Sequence, residues 1–388
     1  MTEQSRVASP PQPVVGIPAP APAGPRVGSR TPSVLVALGI ALGGLLFLCV
    51  LGYLILGLGA SGVAVAAVAA LIPLVIVLLS IRWIDRWEPE PRAALLFALL
   101  WGAGVSVVVA LAVDLGVQVG AYFTGGEPND VLQAVVQAPL VEEIAKGLGV
   151  LLVLLAGRRW FDGPVDGLVY AATVAAGFAF TENVLYFATE LAQGGSSIVS
   201  IFVLRGLFSP FAHVLFTACT GLALGVASRR TGKAGVLGYF VIGLVPAIFL
   251  HALWNGALSV VTDVVAYYFA IQVPIFLGFV AIVVILRAHE RRLTRARLEE
   301  YAAVGWFNPT EVAFVSTYAG RRTAMAWARA NSRPGVDRVR AMRAFIRDAT
   351  RLAHARQRLA STRPAPGSTP DERILLDAVV RDRAALLG

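Results

Sequence analysis

Long apolar runs alternate with short polar segments over residues 34–287. A helix of about 20 apolar residues is long enough to cross the roughly 30 Å hydrocarbon core of a bilayer. Eight runs reach about that length, so the pattern predicts an all-α fold, a polytopic membrane helix bundle of about eight spans. The predicted spans are 34–58, 62–82, 93–121, 133–157, 165–189, 199–228, 235–259 and 264–287.

The two ends of the chain differ from this apolar middle. Residues 1–33 form a Pro-rich N-terminal leader, which we expect to be disordered. Residues 288–388 are polar and Arg-rich, and we expect a basic helical cytosolic tail, either a small domain or helices on the membrane surface. Its amphipathic stretches are near 308–330, 335–360 and 371–386. In the second stretch, the apolar positions at helical spacing are Val336, Val339, Met342, Phe345 and Ile346.

Composition supports a membrane protein. The chain is 57% hydrophobic and 15% charged, whereas soluble domains carry about 25% charged residues. The lipid bilayer is therefore an expected partner. The two cysteines, Cys49 and Cys219, both lie inside predicted spans, so neither a disulfide framework nor a cysteine-based zinc cluster is indicated.

Basic residues in the short loops predict an orientation. Arg or Lys occurs after the second, fourth, sixth and eighth predicted spans, whereas the intervening loops GASG, TGGEPND and ELAQGGSS contain neither. Cytoplasmic loops carry an excess of Lys and Arg, so we expect a multi-pass protein of the cell membrane with both termini in the cytoplasm. The formal net charge of +9 then faces anionic lipid, and we expect no nucleic-acid partner.

Polar side chains inside the spans are a second informative pattern. Placing an ionisable side chain at the bilayer centre costs about 2.5–3.5 kcal/mol on insertion scales, and such residues are usually functional. Away from the span ends, the ionisable residues and asparagines are Asp114, Glu142, Glu143, Lys146, Glu182, Asn183, Arg205, His213, His251 and Asn255. Asp114 and Arg205 are expected to be structural or interfacial residues.

Four consecutive spans, the fourth to the seventh, carry the rest of this set. In chain order the residues are Glu142, Glu143 and Lys146, then Glu182 and Asn183, then His213, and finally His251 and Asn255. Residues four apart share a helical face, which pairs Glu142 with Lys146 and His251 with Asn255. We therefore expect the four spans to direct these groups toward one interior point.

Each group also has a purely structural interpretation. Glu142 and Lys146 could form an ion pair that holds a helix in place, and His251 or Asn255 could bond two helices together. All these interpretations would have to hold at once, which disfavours them. As a set, a carboxylate beside a histidine can activate water, and histidine or asparagine can donate to an oxyanion. Two histidines and a carboxylate can alternatively bind zinc, with a further glutamate as base. Either arrangement can hydrolyse an amide.

The ordered motifs resemble those of the PrsW family of intramembrane proteases. They are EExxK (Glu142, Glu143, Lys146), FxxxEN (Phe178, Glu182, Asn183), a lone histidine (His213) and HxxxN (His251, Asn255), preceded by the acidic segment DRWEPEP at 85–91. The resemblance covers about residues 80–260. The family is similar in turn to the wider superfamily of CAAX prenyl proteases and bacteriocin-processing enzymes.

The resemblance implies a transmembrane protease domain within residues 34–287. Its expected substrate is a membrane-anchored protein with one span, of the anti-sigma-factor type. The catalytic residues that it implies are Glu142, Glu143, Glu182, His213, His251 and Asn255. Glu142 and Glu143 would supply the base, and the histidines and Asn255 would position water and stabilise the oxyanion. Lys146 and Asn183 are expected to be charge or structural partners.

The cofactor is left open by the same resemblance. Glu182 stands where the wider superfamily often has a histidine, so both a glutamate protease and a metalloprotease fit the pattern. If a divalent metal such as zinc is bound, the expected ligands are His213, His251 and Glu182.

Two other classes of function also fit intramembrane charges. A proton- or ion-coupled transporter would use the carboxylates to line a route through the membrane, but it predicts related halves, and no internal repeat is visible. A non-catalytic membrane scaffold would explain the basic tail but not the polar residues within the spans.

Overall fold

The computed structural model describes residues 34–158, 160–333, 336–360 and 368–387. The leader that we expect to be disordered, residues 1–33, lies outside the described residues. The described chain is helical apart from short connections and one isolated bridge between Arg333 and Val336. Its residues fall into two compact units, one within Arg30–Val284 and one within Ile285–Gly388.

Seven helical segments of the described chain are long and apolar enough to cross a membrane. They are Val34–Leu58, Ala60–Asp85, Arg92–Thr124, Pro164–Ala192, Ile198–Arg230, Gly235–Ala257 and Val264–Ala303. The predicted all-α polytopic membrane bundle is therefore confirmed. The fourth predicted span, 133–157, is also helical, over Ala138–Ala156. It differs from the seven segments in its three charged side chains, since each of those has at most two in its most apolar stretch.

The helices of the first unit are interrupted at several points. They are α1 (Val34–Leu58), α2 (Ala60–Asp85), α3 (Arg92–Leu100), α4 (Val107–Thr124), α5 (Asp130–Leu132), α6 (Ala138–Ala156), α7 (Pro164–Ala192), α8 (Ile198–Phe202), α9 (Ala212–Arg230), α10 (Lys233–Val260), α11 (Val264–Tyr267) and the first part of α12 (Val273–Ala303). Short π-helical segments occur at Trp101–Ser106, Gln133–Gln137, Val203–Phe208 and Tyr268–Gln272. Such turns within helices are frequent at functional sites.

Helix α7 is the central helix of the first unit, and most of its length is buried. Gly167 of α7 and Gly221 of α9 face each other closely. A Cβ at Gly167 would lie 2.0 Å from the carbonyl oxygen of Gly221, and a Cβ at Gly221 would lie 2.2 Å from that of Gly167. Small residues permit this approach of two membrane helices. It packs the helix that carries Glu182 against the helix that carries His213.

Trp101 fixes the position of α6. Its indole N–H donates to the carbonyl oxygen of Ala145 at 2.9 Å. A Cβ at Gly149 would lie 2.3 Å from the indole ring, so the ring occupies the space that a side chain there would need. The contact holds in place the helix that carries Glu142, Glu143 and Lys146.

The acidic segment DRWEPEP packs against α7 through Glu90. The Tyr170 hydroxyl donates to the Glu90 carboxyl group, and the backbone N–H of Glu90 donates to Asp85 Oδ1 at 3.0 Å. Burial, followed by the negative charge of Asp166, raises the pKa of Glu90 well above its usual range. The segment therefore places a buried carboxyl group against the second turn of α7.

The second unit is a packed group of helices. It contains the end of α12, then α13 (Pro309–Ser316), α14 (Tyr318–Asn331), α15 (Arg338–Leu359) and α16 (Ser368–Leu387). The core includes Leu298, Phe307, Val315, Phe345 and Leu352. Met342 and Ile346 of the predicted apolar face are buried in this core and Val339 packs against it. The helix in this stretch is Arg338–Leu359, so Val336 of the predicted apolar face precedes it and lies in the bridge with Arg333.

Candidate active site

Four helices of the first unit bring six charged or ionisable side chains together. Helix α6 carries three, and α7, α9 and α10 carry one each. They are Glu142, Glu143, Lys146, Glu182, His213 and His251, called the buried cluster below. The structure thus places side chains of all four spans in one buried cluster, whereas Asn183 and Asn255, which the sequence analysis expected there too, bond Arg205 and Ala134. Within the cluster, Glu143 and Lys146 are 0% exposed and Glu142 is 8% exposed.

Lys146 lies between the two glutamates of its own helix. Its Nζ is 2.6 Å from Glu143 Oε1 and 3.4 Å from Glu142 Oε2. The same nitrogen is 3.2 Å from His213 Nδ1, and it lies 4.2 Å from the centroid of the Phe178 ring. One ammonium group therefore contacts two carboxylates, a histidine and an aromatic face.

Glu143 orients His251. Glu143 Oε2 accepts a hydrogen bond from the Thr217 hydroxyl at 2.8 Å, and Glu143 Oε1 lies 3.0 Å from His251 Nδ1. A carboxylate can only accept, so His251 Nδ1 carries the hydrogen in this pair. The other ring nitrogen, Nε2, then presents its lone pair, and it lies 3.8 Å from Glu142 Oε2.

Glu182 orients His213 in the same way. His213 Nε2 lies 2.8 Å from Glu182 Oε2, which leaves Nδ1 to present its lone pair. Glu182 is itself held by the guanidinium of Arg205. Arg205 Nε also donates to Asn183 Oδ1 at 2.9 Å, and its guanidinium lies 4.0 Å from the centroid of the Tyr186 ring.

Glu142, His213 and His251 form the group that could hold a metal ion. One oxygen or nitrogen of each lies within 4.8 Å of the others. Ligand atoms around a tetrahedral zinc would lie about 3.3 Å apart, given bond lengths of about 2.0 Å. Small side-chain movements would therefore bring the three ligand atoms to the separations found around a zinc ion. The sequence analysis placed Glu182 in it, whereas the structure pairs Glu182 with the outer nitrogen of His213 and places Glu142 on the inner side.

Asn255 is not directed into the buried cluster. Its Nδ2 donates to the carbonyl oxygen of Ala134 at 2.8 Å. Ala134 belongs to the π-helical segment Gln133–Gln137, which precedes α6. The regular helical hydrogen-bond ladder changes at such a segment, and the Asn255 amide joins α10 to it.

Two residues of the site were not assigned to it from the sequence. Arg205 was expected to be a structural or interfacial residue, and its signal was the charge inside a span. Thr217 lies four residues after His213, hence on the same helical face, but hydroxyl residues are common in membrane helices and gave no signal. Phe216 stacks on His251, with ring centroids 4.9 Å apart.

The chain is similar to proteins of one family. Residues 90–283, half of the chain, match a family described as PrsW family intramembrane metalloprotease. Protease PrsW of Clostridioides difficile is 28% identical over 191 residues, which cover 49% of this chain and 78% of that protein. Protease PrsW of Geobacillus kaustophilus is 29% identical over 174 residues, with coverage of 45% and 71%.

Protease PrsW of Bacillus subtilis is 30% identical over 118 residues, which cover 30% of this chain and 50% of that protein. No solved structure gives a significant match. The family match, over residues 90–283, contains every residue of the buried cluster.

Proposed function

Because the chain belongs to the PrsW family of intramembrane metalloproteases and is an intramembrane protease, we propose that it is an endopeptidase of membrane-anchored, single-span proteins, with anti-sigma factors as the substrate type. The observation that carries the proposal is the arrangement of the two histidines. In His251, one ring nitrogen bonds the Glu143 carboxylate and the other faces Glu142. In His213, one ring nitrogen bonds the Glu182 carboxylate and the other faces Lys146.

The donor set fits a divalent metal such as zinc. Two histidines and a carboxylate with an open position are a common catalytic zinc site. Zinc-binding histidines usually give their second nitrogen to a carboxylate, which fixes the ring, and here Glu143 and Glu182 are so placed. The cluster also contains three carboxylates against the cations Lys146 and Arg205, so an added cation would meet a net negative site.

We assign the binding of the metal to Glu142, His213 and His251. When bound, a divalent metal supplies Lewis-acid polarisation of the peptide carbonyl. Glu143 and Glu182 hold the two imidazole rings in the tautomers that leave lone pairs on His251 Nε2 and His213 Nδ1, and the Lys146 ammonium, 3.2 Å from His213 Nδ1, would have to move aside when a metal binds. Lys146 balances the charge of the two glutamates on its own helix and so lowers the cost of placing them within a membrane helix.

Glu142 is the carboxylate that we assign to proton transfer. It reaches the open side of the cluster, whereas Glu143 is closed off by Lys146, Thr217 and His251. Glu142 Oε2 faces His251, and its other oxygen accepts the proton of the attacking water as the new C–O bond forms. The same carboxyl group then returns the proton to the nitrogen of the departing peptide as the C–N bond breaks.

The proposal extends to location. We place the protein in the cell membrane with both termini in the cytoplasm, because basic residues are confined to alternate loops.

The test of the function uses the purified full-length protein in liposomes with a single-span reporter protein. We expect cleavage, about one equivalent of zinc per chain by elemental analysis, loss of activity on chelation, and recovery on adding zinc back. His251→Ala should lose the metal, and His289→Ala, a histidine of the second unit, is the matched control. Cleavage that persists in metal-free protein would contradict the metal assignment, and no cleavage of any reporter would contradict the endopeptidase proposal.

A further inference from the structure

An apolar cavity lies beside the buried cluster. Its volume is about 190 Å³, and its walls include Leu207, Phe208, Phe216, Trp254, Tyr268 and Phe276. Phe216 belongs to the cavity wall and also contacts both histidines. Its ring stacks on His251 at 4.9 Å between centroids and meets the edge of His213 at 6.0 Å. A group bound in this cavity is therefore separated from His213 and His251 by the ring of Phe216.

The cavity suits a large apolar side chain. An apolar cavity of about 150 Å³ in another protein binds benzene, so a volume of about 190 Å³ has room for a phenyl ring or a branched aliphatic group. Two polar groups of the wall already have partners. The Tyr268 hydroxyl donates to the carbonyl oxygen of Phe208 at 2.9 Å, and Gln272 Nε2 donates to the Tyr267 hydroxyl at 2.6 Å. The lining therefore offers contact area rather than free hydrogen-bonding groups.

The cavity adjoins an apolar groove on the outside of the bundle. The groove has a volume of about 380 Å³ and is formed by α2, α7, α9 and α12. Phe211 and Phe276 line both spaces, and their ring centroids are 5.5 Å apart. On the groove side, Leu79, Trp83 and Val284 are exposed. In a membrane this face meets lipid, so a membrane-embedded helix can reach it laterally.

We infer that the cavity is a subsite that binds a large apolar side chain of the substrate close to the cleaved bond, and that the groove beyond Phe211 and Phe276 receives the substrate's transmembrane helix. The inference rests on the proposed endopeptidase function. Two π-helical segments, Val203–Phe208 and Tyr268–Gln272, form part of the cavity wall. Irregular parts of two spans thus contribute to the subsite, together with the regular helices α9, α10 and α12.

The first test measures specificity. The probes are single-span reporters with a valine-rich transmembrane segment that carries one phenylalanine or one alanine at successive positions, reconstituted with the full-length enzyme. We expect cleavage at a fixed distance from the phenylalanine, read by mass spectrometry. Leu207→Trp fills the cavity. The ratio of kcat/KM for the phenylalanine reporter to kcat/KM for the alanine reporter should therefore fall by about 10–100-fold. Trp254→Ala enlarges the cavity and should admit tryptophan in the reporter.

The matched control is Leu237→Trp, the same change at an exposed position of α10, which should keep the wild-type preference. If wild type, Leu207→Trp and Trp254→Ala share one preference, the cavity is not a subsite. That result differs from a failure of the proposed function, in which the wild-type protein cleaves none of the reporters.

The second test is independent of cleavage. A photoreactive phenylalanine analogue replaces Leu207 in the full-length Glu142→Gln variant, in liposomes with the phenylalanine reporter. We expect a covalent adduct with the reporter close to its phenylalanine. Adducts with lipid acyl chains alone would assign the cavity to lipid and overturn the inference, and adducts with distant parts of the reporter would do the same.

Discussion

Lys146 Nζ lies 2.6 Å from Glu143 Oε1, and neither side chain is exposed. This contact explains how α6 can carry two adjacent carboxylates within a membrane bundle. Removing one partner of a buried ion pair leaves an uncompensated charge and costs about 3–5 kcal/mol.

Lys146→Met should therefore destabilise the protein more than any loss of surface charge would. We expect a large fall in the melting temperature in detergent, together with loss of cleavage. Lys233→Met, at the chain's one other lysine, is the matched control and should melt near wild type. A Lys146→Met protein that melts like wild type would show that the ion pair does not hold α6 in place.

Asn255 gives a second prediction, because its amide bonds Ala134 rather than the buried cluster. Losing an oxyanion donor costs about 10²–10³ in turnover, whereas losing one ordinary hydrogen bond costs about 0.5–1.5 kcal/mol of stability. We expect Asn255→Ala to lower kcat by less than about tenfold and to lower the melting temperature slightly. A fall in kcat of about 10²–10³ at unchanged stability would instead place the amide at the oxyanion.

The sequence predicted much of the bundle, because apolar runs of span length leave few alternatives in a bilayer. It also indicated the four spans that carry the buried cluster, because an ionisable side chain inside a membrane span is costly and seldom occurs without a function. It did not predict that Glu142 rather than Glu182 lies inside the pair of histidines. That depends on the rotation of α6 and α7 about their axes, which side-chain periodicity within one helix does not determine.

The role of Arg205 shows the same limit. Its contact with Glu182 and Asn183 requires the π-helical segment Val203–Phe208 and the break after it. A change from an α-helical to a π-helical turn shifts the face on which later residues lie. The regular spacing of 3.6 residues per turn therefore does not carry through the segment. Positions before and after it do not share the helical face that their sequence spacing predicts.

The second unit should be sensitive to pH through Asp382. Burial, followed by the negative charge of Asp348, raises the pKa of Asp382 from 3.8 to about 7. An acid whose pKa is higher in the folded state contributes stability at low pH, and this contribution is lost as the pH rises through the folded-state pKa. Hydrogen-exchange protection of α15 and α16, corrected for intrinsic exchange, should fall as the pH rises from about 4 to about 7, between the unfolded and folded pKa values of Asp382, and stay level above that.

Asp382→Asn should reduce that fall and raise the protection of α16 at about pH 8. Asp377→Asn, on the same helix, is the matched change of charge and should not raise it. Equal protection of wild type and Asp382→Asn across the whole range would contradict the predicted titration.

Membrane orientation can be read with reporter fusions. Since the basic loops alternate, fusions after residues 90, 160 and 231 should report the cytoplasm, and fusions after residues 125 and 193 should report the outside. Moving the arginines at 229 and 230 to the loop at 193–197 would be expected to weaken this pattern. A cytoplasmic signal after residue 125 would contradict the proposed orientation.

The most direct measurement of the central claim is the cleavage of a reconstituted single-span reporter by Glu142→Gln compared with Glu299→Gln. Glu299 is exposed on the polar end of α12, so it controls for the loss of a carboxylate. We predict that Glu142→Gln abolishes cleavage while its melting temperature stays near wild type, and that Glu299→Gln cleaves normally. Cleavage by Glu142→Gln at a rate near wild type would contradict the assignment of the buried cluster as the active site.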